Sequence, residues 1–386
     1  MRTGIANFTL DYGKCPPWLF ERMVKLGRAM MEVIIREYGP EEFIKRLADP
    51  VWFQSLGTVL AFDWNASGLT TVLCGALKEA ISGQEKDLGI FICGGKGKTS
   101  LKTPEQIKNW SGQVGFSEKV SDSLVYNSKM AAKVDSSLVQ DGYQLYHHSF
   151  FFTRSGAWTV VQQGMNEENL SARRYHWFSP NIKDLVCEPH SGVASQNKIN
   201  NVLNLVAKEG ENNRQLSIDL VSGNSYQSLM KDIQLLEKYA SPYSQMRRVK
   251  KDDHQLTLLN LKNTEFKYHP VVKENFARSR YLQKILWLVC QLKPENYEKL
   301  LSLPGVGAKT MRALALVGEI IYGAKVSFQD PARYSFAHGG KDATPYPVDR
   351  PTYDKTIKTM EMLKELVNKA KIETEEKNKI FKRLGR

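Results

Sequence analysis

Between Pro17 and Gly39, the residues Leu19, Met23, Leu26, Met30, Val33 and Ile34 recur every three or four positions. That spacing gathers apolar side chains on one face of a helix, and proline at the start with glycine at the end marks its limits. "TTVLCGALKEAI" repeats the pattern on a shorter scale, so the first 90 residues read as mostly helical. The period then changes. "DLGIFICGG" is a continuous apolar run bounded by glycines, which predicts a buried strand. "YHHSFFFT" and "AWTVVQQG" predict two more strands, joined through "RSG" as a hairpin. Helices packed on a modest sheet make this part an α+β domain.

From about 190 to 230 the chain becomes rich in Asn, Ser and Gly, with two short apolar stretches embedded. This texture predicts a partly structured connector. Beyond it the apolar period is helical nearly to the end, through "YQSLMKDIQLLEKYA", "SRYLQKILWLVCQL", "PENYEKLLSL", "AKTMRALALVGEIIYG" and the charged final segment from Asp354. The expected organisation is an α+β domain over 1–190, a connector over 191–230 and a basic all-α domain over 231–386. A chain of 386 residues is long for one compact core, which favours this division.

Charge sharpens the picture. Residues 231–386 carry 30 Lys and Arg against 18 Asp and Glu, whereas residues 1–230 carry 24 against 23. Nearly all of the +13 net charge therefore lies in the C-terminal part, as expected of a half that binds a polyanion. No apolar run approaches the roughly 18 residues of a membrane span, and the N-terminus lacks the apolar core of a signal peptide. The expectation is a cytoplasmic protein without a membrane partner. Five single cysteines, none in a C-x-x-C pair, signal neither a zinc ribbon nor a Cys-held iron–sulfur cluster.

The chemistry concentrates in "PENYEKLLSLPGVGAKTMRALALVGEIIYG". One helix ends at Leu303, Pro304 stops it, and Gly305-Val306-Gly307 turns the chain into the next. Glycines at 305 and 307 permit positive φ and close backbone approach. The N–H groups of the second helix then face outward, where the macrodipole favours an anion such as phosphate. Val306 is expected to tuck between the two helices. This stretch resembles the helix–hairpin–helix DNA-binding motif. The resemblance implies that 231–386 is an all-α helix–hairpin–helix DNA-binding domain, with DNA as partner and Gly305, Val306, Gly307, Thr310 and Arg350 at the interface.

Within that group, "LPGVGAKT" is similar to the hairpin of the endonuclease-III-type DNA glycosylases. There a lysine at the position of Lys309 forms a Schiff base with the deoxyribose, and an aspartate follows in a V-D context, here Val348-Asp349. The resemblance thus implies Lys309 and Asp349 as catalytic residues. A lysine in the first turn of a helix also suits this chemistry, since the positive dipole end favours the neutral amine. Lys309 equally suits a plain phosphate contact. This sequence departs from the family in the long insert "KVSFQDPARYSFAHGGKDATPYP", which separates Lys309 from Asp349, and in having no four-cysteine cluster after them. Asp330, within the insert, lies nearer the usual spacing but lacks the V-D context.

A second constellation, "SKMAAKVDSSLVQDGYQLYHHSFFFT", brings Lys129, Lys133, Asp135, Asp141, His147 and His148 close together. Asp135, Asp141 and either His147 or His148 could hold a divalent metal for phosphodiester hydrolysis. Adjacent histidines on a strand point to opposite faces, so only one could serve a given site. His176 in "RRYHW" and His190 in "CEPHSG" show no ligand spacing. "GIFICGGKGKTS" imitates a phosphate-binding loop, but Ile92 stands where the nucleotide-binding pattern needs its first glycine.

The chain as a whole, through "MRTGIANFTLDYGKCPPWLF", "DGYQLYHHSFFF", "VVQQGMN" and "FAHGGKDATPYPVDR", also resembles an uncharacterised prokaryotic family known only as a domain of unknown function. The favoured expectation is a DNA glycosylase, with or without abasic-site lyase activity, using no cofactor and no metal. A metal-dependent structure-specific nuclease and a non-catalytic DNA-binding accessory factor are the alternatives.

Overall fold

The computed structural model describes residues 14–60, 66–196, 198–199, 202–223, 225–240, 249–251, 254–256, 275–332, 362 and 365. The N-terminal helices are α1 (Pro17–Tyr38), α2 (Pro40–Leu47), α3 (Pro50–Val59), α4 (Ala66–Ala80) and the single turn α5 (Glu85–Leu88). Each of the first three has proline in its first turn, where the missing N–H is not needed. Gly39, at φ +84°, separates α1 from α2. Asp49 caps α3, accepting from Val51 N at 2.8 Å and Trp52 N at 3.2 Å.

Strand β1 (Ile90–Lys96) leads through a short 3₁₀ turn into α6 (Thr103–Val114) and the long α7 (Glu118–Ser137). Then come β2 (Val139–Gln140), β3 (Gln144–Thr153), β4 (Trp158–Asn166), β5 (Ser171–Phe178) and β6 (His190–Ser195). Strands β1, β3, β4, β5 and β6 pair antiparallel in that order. Both faces of this sheet are covered. Phe150, Phe152, Trp158, Val160 and Trp177 meet Met130, Ala131 and Val134 of α7 on one side. Phe151, Val161 and Phe178 meet Met23, Met30, Phe53 and Leu73 of the first helices on the other. With water excluded from both faces, the strands lose the alternating pattern of a half-exposed sheet.

Strand β7 (Leu203–Asn204) pairs with β2, and helices α8 (Glu211–Ser222) and α9 (Tyr226–Ala240) follow. The stretch read as a connector therefore holds strands and a helix, with Leu203, Leu205, Ile218 and Leu220 buried. After a small hairpin of β8 (Val249–Lys251) and β9 (His254–Leu256) come α10 (Arg280–Leu292), α11 (Tyr297–Ser302) and α12 (Ala308–Leu316). The last continues as a π turn over Val317–Ile321. Leu286, Leu300, Val306 and Met311 of these C-terminal helices join the same apolar cluster as Phe150 and Trp177 of the sheet. The architecture is α+β, and one core runs from the sheet to the hairpin. No helix among the described residues is long and apolar enough to cross a membrane.

Candidate functional site

The turn between α11 and α12 is held from several directions. Asn296 caps α11 by accepting from Lys299 N at 2.8 Å. Leu303 then leaves the helix in an extended conformation. Gly305 has φ +82°, a backbone conformation that favours glycine, and a Cβ there would lie 2.4 Å from Ile285 Cδ1 and push that side-chain end aside. Its carbonyl accepts from the Tyr281 hydroxyl at 3.0 Å. Lys133 of α7 donates to Leu303 O at 2.6 Å, and Gln140 donates to Ala308 O at 2.9 Å. Val306, 2% exposed, is tucked into the core as its motif predicts.

Gly307 differs from Gly305. Its backbone is extended (φ −149°, ψ −168°), and nothing lies within 4 Å of where a Cβ would stand. It is the N-cap of α12 and, being glycine, supplies no side-chain cap to that helix. A glycine here keeps the approach to the first-turn amides clear.

Thr310 is buried at 2% exposure, so its side chain packs inside the protein and does not line an open interface. Lys309 is partly buried. Its Nζ lies 3.4 Å from the Asn275 carbonyl and 5.9 Å from the centroid of the Phe276 ring. Asp349 and Arg350 lie outside the described residues. Asp330 is committed elsewhere. It accepts from Arg173 Nη1 at 2.9 Å and Nη2 at 2.7 Å, and from the backbone amides of Ile199 and Ala332.

The second constellation resolves into a polar band across one end of the sheet. Cross-strand partners place Gly95, His148, Gln162 and Tyr175 in one row, and Lys96, His147, Gln163 and Arg174 in the next. On the α7 face, Asp135 accepts from Gln162 Nε2 at 2.5 Å and Trp177 Nε1 at 3.0 Å, with His190 Nε2 at 2.5 Å from its other oxygen. Because Gln162 donates its amide to Asp135, its Oε1 must accept from His148 Nδ1, 2.8 Å away. His148 Nε2 is then the acceptor for the Ser128 hydroxyl at 2.8 Å. Burial pushes the His148 imidazole below its ordinary value against the opposing effects of Gln162 and Asp135.

Asp141 sits in a neighbouring cluster. It accepts from Arg173 Nη1 at 2.9 Å, the Tyr175 hydroxyl at 2.7 Å and Tyr143 N at 3.1 Å. Burial raises Asp141 even with Arg173 beside it, while Asp141 and Asp330 together hold Arg173 charged against burial. Asp135 and Asp141 are thus each surrounded by donors and do not converge with a histidine as a ligand set. Among the described residues, no group of three His, Cys, Asp or Glu could hold a metal ion.

On the opposite face, Arg174 Nε donates to His176 Nε2 at 2.8 Å, and His176 Nδ1 donates to Leu47 O at 2.9 Å. Burial lowers Arg174 to about 9 and drives His176 well below its usual value. His147 also faces this side, bonded through Nε2 to Ser149, and burial with His148 and Lys96 nearby pushes it down to about 3. The two adjacent histidines do serve different faces. His147 Nδ1, Gln163 Oε1 and Arg173 Nε are buried without partners.

Sequence reasoning passed over Arg173, Gln162, Tyr175 and Trp177. The available signal was the paired polar residues, Gln162-Gln163 and Arg173-Arg174, set inside otherwise apolar strand segments. The loop that imitates a phosphate-binding site has its own structural reason for glycine. A Cβ at Gly94 would stand 2.2 Å from His148 O, and Lys78 binds Gly94 O at 3.0 Å.

The fold and hairpin define an α+β protein whose C-terminal helical turn ends in an uncapped helix start. The chain belongs to the family described as protein of unknown function (DUF763), whose model matches residues 4–348. No curated protein and no solved structure matches it.

Proposed function

We propose that this protein binds DNA through the α11–α12 turn, seating a backbone phosphate on the first-turn amides of α12. The observation that carries this reading is Gly307, an extended N-cap without a side chain, with open space at its Cβ position. A helix N-terminus supplies oriented N–H donors and a positive dipole end, both suited to phosphate. The tight anchoring of Gly305, Val306 and Leu303 supports a preorganised seat, and the basic residues of 231–386 supply the long-range attraction.

On that grip we place removal of a damaged or modified base, with Lys309 as the nucleophile that attacks the anomeric carbon of the deoxyribose. The base departs, and the lysine amine is left joined to C1′ as an iminium once the sugar ring opens. Asp349 is assigned the supporting carboxylate and Arg350 a DNA contact. Lys309 lies in that same first turn of α12, which would hold its amine near the sugar attached to the bound phosphate. The Asn275 carbonyl and Phe276 ring restrict the resting position of the amine.

Borohydride trapping tests this chemistry. The reductant converts the iminium to a stable amine, so protein and DNA containing an abasic site or a damaged base become covalently joined. Lys309→Gln should abolish the adduct while lowering DNA affinity only modestly, because one charge is one phosphate contact among several. An undiminished adduct with Lys309→Gln assigns the lysine to binding alone.

A further inference from the structure

Helix α10 presents an unusual exposed face. Arg280, Lys284, Trp287 and Gln291 recur at positions i, i+4, i+7 and i+11, and all four are exposed. Trp287 is 50% exposed, and the helix contains no Asp or Glu. A surface tryptophan on a cationic, acid-free helix is a stacking platform with an electrostatic guide beside it. Arg278 and Lys293 extend the exposed basic surface at the two ends.

Trp287 also forms one wall of a cleft of about 330 Å³. Tyr226 and Gln227, at the start of α9, line the cleft with Gln291 and Lys293, and none of its lining residues is a carboxylate. Its size lies at the lower end of the range for small-ligand sites. Amide groups, one cation and an aromatic wall suit a planar, polar base attached to a phosphate.

The same helix reaches the proposed phosphate seat. Tyr281, on the flank of the exposed face, donates its hydroxyl to Gly305 O at 3.0 Å. From Tyr281 to Trp287 the helix rises about 9 Å, which is roughly two to three nucleotide steps measured along the axis of B-DNA. A strand anchored at α12 can therefore bring a nearby base to the cleft.

We propose that the exposed face of α10 and the cleft beside Trp287 bind single-stranded nucleic acid, with one unpaired base stacked on the Trp287 indole. This deepens the reading of the hairpin, on which it rests for the position of the strand. Arg280 and Lys284 face the backbone, while Gln227 and Gln291 offer donors and acceptors to the base edge.

The test measures affinity of the full chain for three probes: an oligothymidine, an oligomer of abasic spacers of equal length, and a duplex. Trp287→Ala should weaken oligothymidine binding by about 5- to 150-fold, the range expected for one lost base–aromatic stack. It should leave the abasic oligomer and the duplex unaffected, and Trp287→Phe should retain most of the affinity. Unchanged oligothymidine binding by Trp287→Ala overturns the proposal, as does an equal loss on the abasic oligomer. A change in oligomeric mass with no change in affinity also overturns it, by making this face a contact between copies of the chain. Gly307→Ala keeps the two readings separable. If only the hairpin reading fails, Gly307→Ala binds duplex like the parent while Trp287→Ala still loses oligothymidine. Absence of binding to all three probes overturns both.

Discussion

Asp135 accepts three hydrogen bonds inside the protein, whereas Gly307, the N-cap of α12, has no side chain with which to cap the helix. The polar band of the sheet and the hairpin are both anchored to α7, through Asp135 in one case and Lys133 in the other. They use polar atoms in opposite ways. In the band, the carboxylates of Asp135, Asp141 and Asp330 are surrounded by donors from remote strands and loops. At the hairpin, the carbonyls of Leu303, Gly305 and Ala308 are bonded, and nothing lies within 4 Å of the Gly307 Cβ position at the start of α12. Internal satisfaction favours a unique, rigid arrangement and leaves little capacity for a ligand. An open helix end retains that capacity. Of the metal-nuclease residues, Asp135, Asp141 and His148 are bonded within the band while His147 keeps a buried Nδ1 without a partner, and the phosphate-seat residues lie at the hairpin.

This contrast can be broken most forcefully at Arg173. Its guanidinium is buried between Asp141 and Asp330. Arg173→Met would leave two buried carboxylates without their counter-charge, at a cost of about 3–5 kcal/mol. We expect a large fall in the denaturation midpoint, or failure to fold. Near-parental stability would mean that the band is not the rigid element its bonding implies. Lys309→Gln should instead cost no more than about 1 kcal/mol, because it removes one long contact with the Asn275 carbonyl and a distant approach to the Phe276 ring.

A change of pH probes the same region with a smaller effect. His147, His148 and His176 are buried and neutral, with folded values below their ordinary ones. Their contribution is fully present above the unfolded value of 6.5 and is lost as pH falls below it, because the unfolded chain then binds more protons. For His147, with a folded value of about 3, the loss reaches about 2 kcal/mol by pH 5. The other two act in the same direction. Thermal melts should therefore fall between pH 7 and pH 5, and a flat profile would show that these imidazoles titrate freely in the folded state.

How far the sequence reveals these two regions depends on how local each is. The hairpin is written in consecutive residues, so Pro304, Gly305, Val306 and Gly307 disclose both the turn and the direction of the following helix. The band is assembled across strands. Asp135 and Asp141 are near each other in sequence, yet one is bound by Trp177 and His190 and the other by Arg173 and Tyr175. Strand β5, "SARRYHWF", hides its identity for a related reason. Arg173, Tyr175 and Trp177 face α7 while Arg174 and His176 face the first helices, and both sets are buried. Apolar–polar alternation vanishes when each face carries its own mixture of rings and charges. The helical periods of α1, α9 and α10 survive because each exposes one side to solvent.

The finest test lies within the hairpin, where two glycines two residues apart should respond differently. Gly305→Ala places a Cβ 2.4 Å from Ile285 Cδ1 on a residue at φ +82°. The clash and the left-handed backbone together should cost about 1–3 kcal/mol. Any loss of DNA binding by that variant follows from a disturbed turn. Gly307→Ala meets nothing within 4 Å and has an extended backbone that alanine adopts readily. Its stability should change by no more than about 0.5 kcal/mol. The new methyl group nevertheless stands at the mouth of the α12 N-terminus, where it would hold a phosphate away from the amides. Affinity for duplex DNA should fall about tenfold, equivalent to about 1.4 kcal/mol, and equally for every sequence, because phosphates carry no base information. The salt dependence should flatten by roughly one phosphate's worth, a slope change of about 0.9. If Gly307→Ala binds DNA like the parent at the same melting temperature, the open helix end is not the phosphate seat.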